Sequence, residues 1–310
     1  MRPRPDTASV IAGLKDFQRS TVDYVFDRLY GKDPTRRFLV ADEVGLGKTL
    51  VARGVIARAV DHLWETVDRI DVIYVCSNAD IARQNVQRLG IPGYNATTQS
   101  TRLTLLPLQL QDLRKNRVNF IALTPGTSFD QNSYGGTIQE RVLLYSLLDE
   151  AWELGTSRKP LNVLSDYASV ESFEARLKGF DPSCVNRPLA QAFVRQLERQ
   201  VADEIAKGVP DLRSRFEDLQ RTFHRSDVAR GRDATVSRTR WIGELRRLLA
   251  RVCLNELEPD LIIFDEFQRF NHLLNDRSEA GELAQSLFES EAGHGARLLL
   301  LSATPYKSLS

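Results

Sequence analysis

Two residue types that build many sites are scarce in this chain. Four histidines (His62, His224, His272, His294) and three cysteines (Cys76, Cys184, Cys253) are scattered through 310 residues. They show no metal-ligand spacing and no C-x-x-C pair, so neither a zinc site nor a disulfide framework is expected. Isolated cysteines suit a reducing compartment. Charge of one sign is also lacking. A net charge of +1 provides no global attraction to nucleic acid and leaves any such contact to local patches. No apolar run reaches the roughly 20 residues that a membrane helix needs. The opening MRPRPDTASVIAGL has basic residues but no apolar core adequate for a signal peptide. The expectation is a cytoplasmic chain with no membrane partner. What remains is ordinary globular composition, 42% hydrophobic and 27% charged, enough for one large or two small domains.

The segment FLVADEVGLGKT, Phe38 to Thr49, carries the most chemistry. It reads as a short apolar strand, a glycine-bearing turn, and a helix opened by Lys48 and Thr49. Gly45 and Gly47 let the backbone curve around an anion with its N–H groups turned inward. The helix N-terminus adds partial positive charge. Gly45, Leu46, Gly47, Lys48 and Thr49 thus form a candidate phosphate cradle. Lys48 is placed to reach the β- and γ-phosphates, and the Thr49 hydroxyl to ligate Mg²⁺. Asp42 stands where the first glycine of the general G-x-x-x-x-G-K-S/T pattern would be.

A second acidic feature lies far downstream. Leu261 to Phe264 is an apolar run that ends in Asp265 and Glu266. Such a run suits a buried parallel strand, and ligands in open α/β sheets sit beyond the carboxyl ends of strands. Asp265 is the candidate metal ligand and Glu266 the candidate base for a water molecule. A strand ending in two solvated acids is the plainer alternative.

Asp42 to Thr49, DEVGLGKT, resembles the D-E-x-G-L-G-K-T form found in Swi/Snf-type superfamily 2 helicases and translocases. Asp265 to Gln268, DEFQ, is similar to helicase motif II, with Phe267 bulkier than the usual third residue. Ser302-Ala303-Thr304, about 35 residues further on, resembles motif III. There Ser302 and Thr304 would couple the acidic site to a nucleic-acid groove. The resemblance implies that Gln18, upstream of the cradle, reads adenine through an amide that donates and accepts at once. It also implies that Ser77 (motif Ia) and Thr124, Gly126 and Thr127 (motif Ib) contact a phosphodiester backbone. Plain strand–turn chemistry accounts for those two segments as well. The implied cofactors are ATP and Mg²⁺. The implied activity is nucleic-acid-dependent ATP hydrolysis, with DNA favoured as the partner, in repair, restriction or phage defence. A nucleotide-dependent scaffold that binds without translocating is the alternative. The family also has a second RecA-like lobe that supplies an arginine finger, worth about 10³–10⁵ in rate in related enzymes. No such segment is recognised within residues 1–310, so the chain reads as the front half of a motor with slow hydrolysis.

Strand patterns near 37–42, 71–77, 102–106, 118–123, 260–265 and 297–302 alternate with helical ones. This predicts an α/β fold, a RecA-like parallel sheet with helices on both faces. The expected divisions are an N-terminal helix (1–35), a first part of the lobe (36–129), a helical insertion (130–256) and a second part of the lobe (257–310). In the N-terminal helix, Phe17, Val22, Val25, Phe26 and Leu29 are expected on one apolar side. The insertion shows helical periodicity around 137–154, 168–178, 188–208, 211–224 and 235–255. Between Arg221 and Arg251 it carries nine arginines against three acidic residues. That cluster suits phosphate contact. It equally suits a solvated helix face with a disordered tip at 226–235. Trp241 reads as core.

Overall fold

The structure, a computed structural model, describes residues 4–41, 47–76, 84–85, 87–92, 98–99, 102–124, 135–155, 157–224, 232–274, 284–285, 287–288 and 295–303. For 98–99, 111–114 and 271–274 it describes the backbone alone. The chain forms two compact units. One comprises Met1–Leu103, Gln111–Phe129 and Leu257–Ser310, the other Thr104–Leu110 and Asp130–Glu256.

The first unit is α/β. Its elements are α1 (Thr7–Ala12), α2 (Asp16–Tyr30), β1 (Arg37–Ala41), α3 (Lys48–Leu63), β2 (Ile70–Val75) and β3 (Thr98–Gln99). After helix α4 (Leu106–Lys115), whose first residues belong to the other unit, β4 (Val118–Leu123) follows. Six strands form one sheet in the order β1-β6-β5-β2-β4-β3, with β5 at Leu261–Phe264 and β6 at Arg297–Ser302. Every pairing is parallel. The sequence explains this: β2, β4 and β5 are buried at every position, as strands covered on both faces must be. β1 stands at an edge and is partly exposed.

One face of the sheet presents Val72, Tyr74, Phe120, Ile263 and Leu299 to a core shared with Val22, Val25 and Leu29 of α2 and Val55, Ile56 and Ala59 of α3. On the other side Phe264 contacts Phe267, Phe270 and Phe288, at ring-centroid distances of 6.3, 4.6 and 5.6 Å. Edge-to-face and tilted rings of this kind add to the area they bury. At the amino edge of the sheet, the Asp260 carboxylate accepts from the Asp71 N–H at 2.8 Å, and the Asn119 amide donates to Asp71 at 2.8 Å. Arg69 pairs with Asp71 at 2.6 Å. These bonds pin β2, β4 and β5 in register, so their opposite ends are held as a set.

The expected strand near 102–106 is instead a 3₁₀ turn, Leu103–Leu105, leading into α4. Its leucines fit a helix or a strand equally, and so short an apolar run does not distinguish them. Of the expected α2 face, Val22, Val25 and Leu29 are buried, but Phe17 is not part of it. Phe17 is 49% exposed, whereas Gln18 is 4% exposed.

The second unit is helical: α5 (Ile138–Trp152), α6 (Arg158–Leu164), α7 (Val170–Lys178), α8 (Arg187–Ala206), α9 (Leu212–Thr222) and α10 (Arg232–Glu256). Thr137 opens α5 with a capping box completed by Glu140. Trp241 is core, stacked on Phe216 at 4.6 Å with its indole N–H donating to the Leu212 carbonyl. The arginine cluster is divided. Arg238 and Arg246 point inward, paired with Asp166 at 3.2 Å and Glu140 at 2.8 Å. Arg232, Arg240 and Arg251 are exposed. Among the described arginines of the cluster, these two serve the interior; Arg225 and Arg230 lie outside the described residues. Of the expected disordered tip, residues 232–235 are the first turn of α10, and the rest lies outside the described residues. No helix among the described residues is long and apolar enough to cross a membrane.

Candidate functional site

In a parallel sheet all strands end at one edge, and here that edge gathers the chemistry. β1 ends at Ala41, which is level with Ser302 at the end of β6. Phe264, at the end of β5, is level with Leu300. Asp265 and Glu266 follow directly. β6 lies between β1 and β5, so the glycine-bearing turn after β1 and the acid pair after β5 start about 10 Å apart, at roughly 4.8 Å per strand.

On the β1 side, α3 begins at Lys48 as expected, with Gly47 as its N-cap. Gly47 has φ +84°, ψ 39°, the left-handed region in which a side chain is strained. A Cβ there would fall 2.5 Å from Gln18 Nε2. The structure therefore brings Gln18 against the last residue of the glycine turn. α2 holds it there. The Gln18 carboxamide oxygen accepts from the Lys15 N–H at 3.1 Å, closing the N-terminus of its own helix. Gly54 allows α2 and α3 to approach: a Cβ there would lie 2.5 Å from Val22 Cγ2. Lys48 and Thr49 are half-buried in the first turn of α3, where backbone N–H groups and the helix dipole favour an anion.

On the β5 side, the Asp265 N–H donates to the Val75 carbonyl at 2.8 Å, continuing the sheet by one residue. Asp265 Oδ1 accepts from the Glu266 N–H at 2.9 Å. Asp265 Oδ2 accepts from the Tyr74 hydroxyl and, at 3.5 Å, from Asn85 Nδ2. Asn85 Nδ2 also donates to the Tyr74 oxygen at 2.8 Å. Burial, and then the charge of Asp265, push the Tyr74 phenol far above its ordinary range, so it stays a donor. Glu266 has φ +53°, a left-handed conformation that costs a non-glycine residue about 1–3 kcal/mol and clusters at functional positions. Its carboxylate lies 3.5 Å from Arg269 and is partly exposed. Helix α11 (Phe267–Leu274) starts at once, and its Gln268 accepts from the Ser302 hydroxyl at 3.0 Å. That bond ties the end of β6 to the turn after β5.

Gln18 and Gly47 thus form one group and Asp265, Gln268 and Ser302 another, with Glu266 beside the second, along a single edge. Thr124 follows β4 at the same edge and is buried. Gly45, Leu46, Ser77, Gly126, Thr127 and Thr304 lie outside the described residues. Sequence reading missed Tyr74 and Asn85. The signal for Tyr74 was a polar tip near the carboxyl end of a mostly apolar strand, while Asn85 carries none. Among the described residues, no group of three or more His, Cys, Asp or Glu side chains is arranged to hold a metal by itself. The oxygen donors on offer, the Thr49 hydroxyl and the Asp265 carboxylate, are hard and few. That set fits Mg²⁺, which takes one or two protein oxygens and completes its shell with phosphate and water.

No known family profile matches this chain, and no curated protein sequence matches it significantly.

Proposed function

We propose that the first unit is a RecA-like ATP-binding lobe of a nucleic-acid-dependent ATPase of the superfamily 2 type, acting on DNA in company with a second lobe. The observation that carries this reading is the shared edge. An all-parallel sheet with β6 between β1 and β5 puts the start of α3, the Asp265–Glu266 turn and Ser302 on one side of the protein. Strand order and register bring two features separated by some two hundred residues to the same sheet edge, which supports their sharing one triphosphate.

In this reading Gly47, Lys48 and the first N–H groups of α3 bind the phosphates. Gln18 contacts the base. Thr49 and Asp265 would hold Mg²⁺, which would supply neutralising positive charge to the phosphates. Glu266 orients a water molecule and takes its proton. Its backbone is left-handed directly after the strand, and its side chain is partly exposed. Ser302 and Gln268 link the acid turn to the neighbouring strand, a route by which a change at the phosphates would reach the rest of the edge.

The test is nucleotide binding followed by hydrolysis. A fluorescent ATP analogue is titrated in Mg²⁺ against the wild type, Lys48→Ala and Glu266→Gln. Lys48→Ala is expected to lose binding by at least tenfold. Glu266→Gln is expected to bind normally and to lose hydrolysis, with or without DNA. Equal binding by wild type and Lys48→Ala contradicts the proposal. Cellular function that survives Glu266→Gln but not Lys48→Ala instead favours a scaffold that only binds nucleotide.

A further inference from the structure

The Asp265 carboxylate is wired into the protein more fully than holding a metal ion by itself requires. An ionised carboxylate offers about four acceptor sites. Oδ1 takes the Glu266 N–H, and Oδ2 takes the Tyr74 hydroxyl and the more distant Asn85 amide. Three of the four are thus filled from within the chain. The remaining direction is set by the other three, so the carboxylate cannot rotate without breaking a bond. Tyr74 is itself held on several sides. It is 1% exposed, its ring belongs to the core between the sheet and α2–α3, and its hydroxyl oxygen receives Asn85 at 2.8 Å. Donation runs one way: Asn85 donates to Tyr74 and, more distantly, to Asp265, and Tyr74 donates to Asp265.

We infer that Tyr74, supported by Asn85, is a positioning residue that aims the free side of Asp265 at the Mg²⁺ of a bound nucleotide. This rests on the ATP-binding reading above. Neither residue would touch nucleotide or metal. Their action is through Asp265, as partners of metal-ligating carboxylates commonly act, where removal costs about 10–100-fold in metal affinity. The bland alternative is a buried tyrosine that uses the nearest acceptor to satisfy its hydroxyl. On that view its loss affects folding alone.

The experiment separates the two with Tyr74→Phe, which keeps the ring and removes only the hydroxyl, and with Asn85→Ala. Binding of a fluorescent ATP analogue to the full 310-residue chain is measured in EDTA and then across a Mg²⁺ titration, with melting temperature recorded alongside. Tyr74→Phe is expected to bind nucleotide in EDTA within about twofold of wild type, and to need about 10–100-fold more Mg²⁺ for the half-maximal metal-dependent change. Asn85→Ala is expected to shift the Mg²⁺ midpoint in the same direction by less, because it acts through Tyr74. An unchanged Mg²⁺ midpoint in Tyr74→Phe overturns the inference. So does an equal loss of binding with and without Mg²⁺ accompanied by a lowered melting temperature. If the wild type binds no nucleotide under either condition, the ATP-binding reading fails first and takes this inference with it.

Discussion

Gly54→Ala is a sensitive probe of how Gln18 is delivered to the glycine turn. In an exposed helix the change would stabilise by about 0.8–1.0 kcal/mol, because alanine has the higher helix propensity. Gly54 is buried in α3 beneath α2, and its new methyl would lie 2.5 Å from Val22 Cγ2 and 3.0 Å from Leu14 Cδ1. Ordinary carbon contacts are about 3.5–4.0 Å, so α2 must retreat by roughly 1 Å or Val22 must turn. A helical valine has one strongly preferred rotamer and resists turning. Overpacking of this kind costs about 1–3 kcal/mol, which outweighs the propensity gain and leaves a net loss of about 1 kcal/mol. Val22→Ala removes the obstructing methyls, so the double variant is expected to recover the clash. The coupling energy should be about 1 kcal/mol or more, within the range seen for residues in contact. Urea unfolding followed by far-UV circular dichroism measures all four members of the cycle. Because Gln18 lies one turn before Val22, discrimination of ATP from GTP should weaken in Gly54→Ala and return in the double variant. A Gly54→Ala protein stabilised by about 1 kcal/mol, with no coupling to Val22, would refute the close approach of the two helices.

Gly47→Ala is expected to cost about 1–2 kcal/mol for its left-handed backbone, and to lower ATP-analogue affinity by displacing the Gln18 amide. Wild-type affinity in that variant would contradict the placement. Glu140→Gln should destabilise the protein by about 3–5 kcal/mol in urea, since Arg246 would be left buried without its counter-charge. Burial raises the Glu140 carboxyl, but Arg246, Thr104 and the Thr137 N–H outweigh it and hold the folded value below the ordinary glutamate range. That stabilisation is present above the unfolded value and is lost as pH falls through the lower folded value, so the gap between wild type and Glu140→Gln should close on acidification. A gap independent of pH would be inconsistent with an ionised Glu140. Of the three cysteines, Cys184 is exposed while Cys76 and Cys253 are buried, and burial raises the Cys253 thiol. Ellman's reagent should therefore find one fast thiol in the native protein and three after unfolding, and a Cys184→Ser variant should lose the fast one.

Local pattern carried most of the architecture. Mostly apolar runs marked β1, β2, β4, β5 and β6, and β2, β4 and β5, covered on both faces, need no polar alternation. Three-to-four-residue periodicity between 130 and 256 marked helices, each with an apolar stripe to bury. The failures were also local. The leucines at 103–106 satisfy a helix or a strand equally, and β3 has only two residues, Thr98 and Gln99, with no pattern to read. Phe17 looked like the buried partner on α2, yet the core takes Gln18 there, whose amide oxygen caps its own helix. Arg238 and Arg246 are indistinguishable in sequence from their exposed neighbours. Burial followed from carboxylates at positions 166 and 140, far along the chain.

By itself the amino-acid order determined that α3 opens at Lys48 after a glycine, and that two acids close an apolar run at Asp265. Both follow from the conformations accessible to adjacent residues. It did not determine that β6 lies between β1 and β5, that Tyr74 donates to a carboxylate 191 positions away, or that the two ends share an edge. Those were decided by strand order and register, which depend on hydrogen bonds and side-chain packing between segments distant in sequence. No local pattern encodes such pairings, and only the folded sheet resolves them.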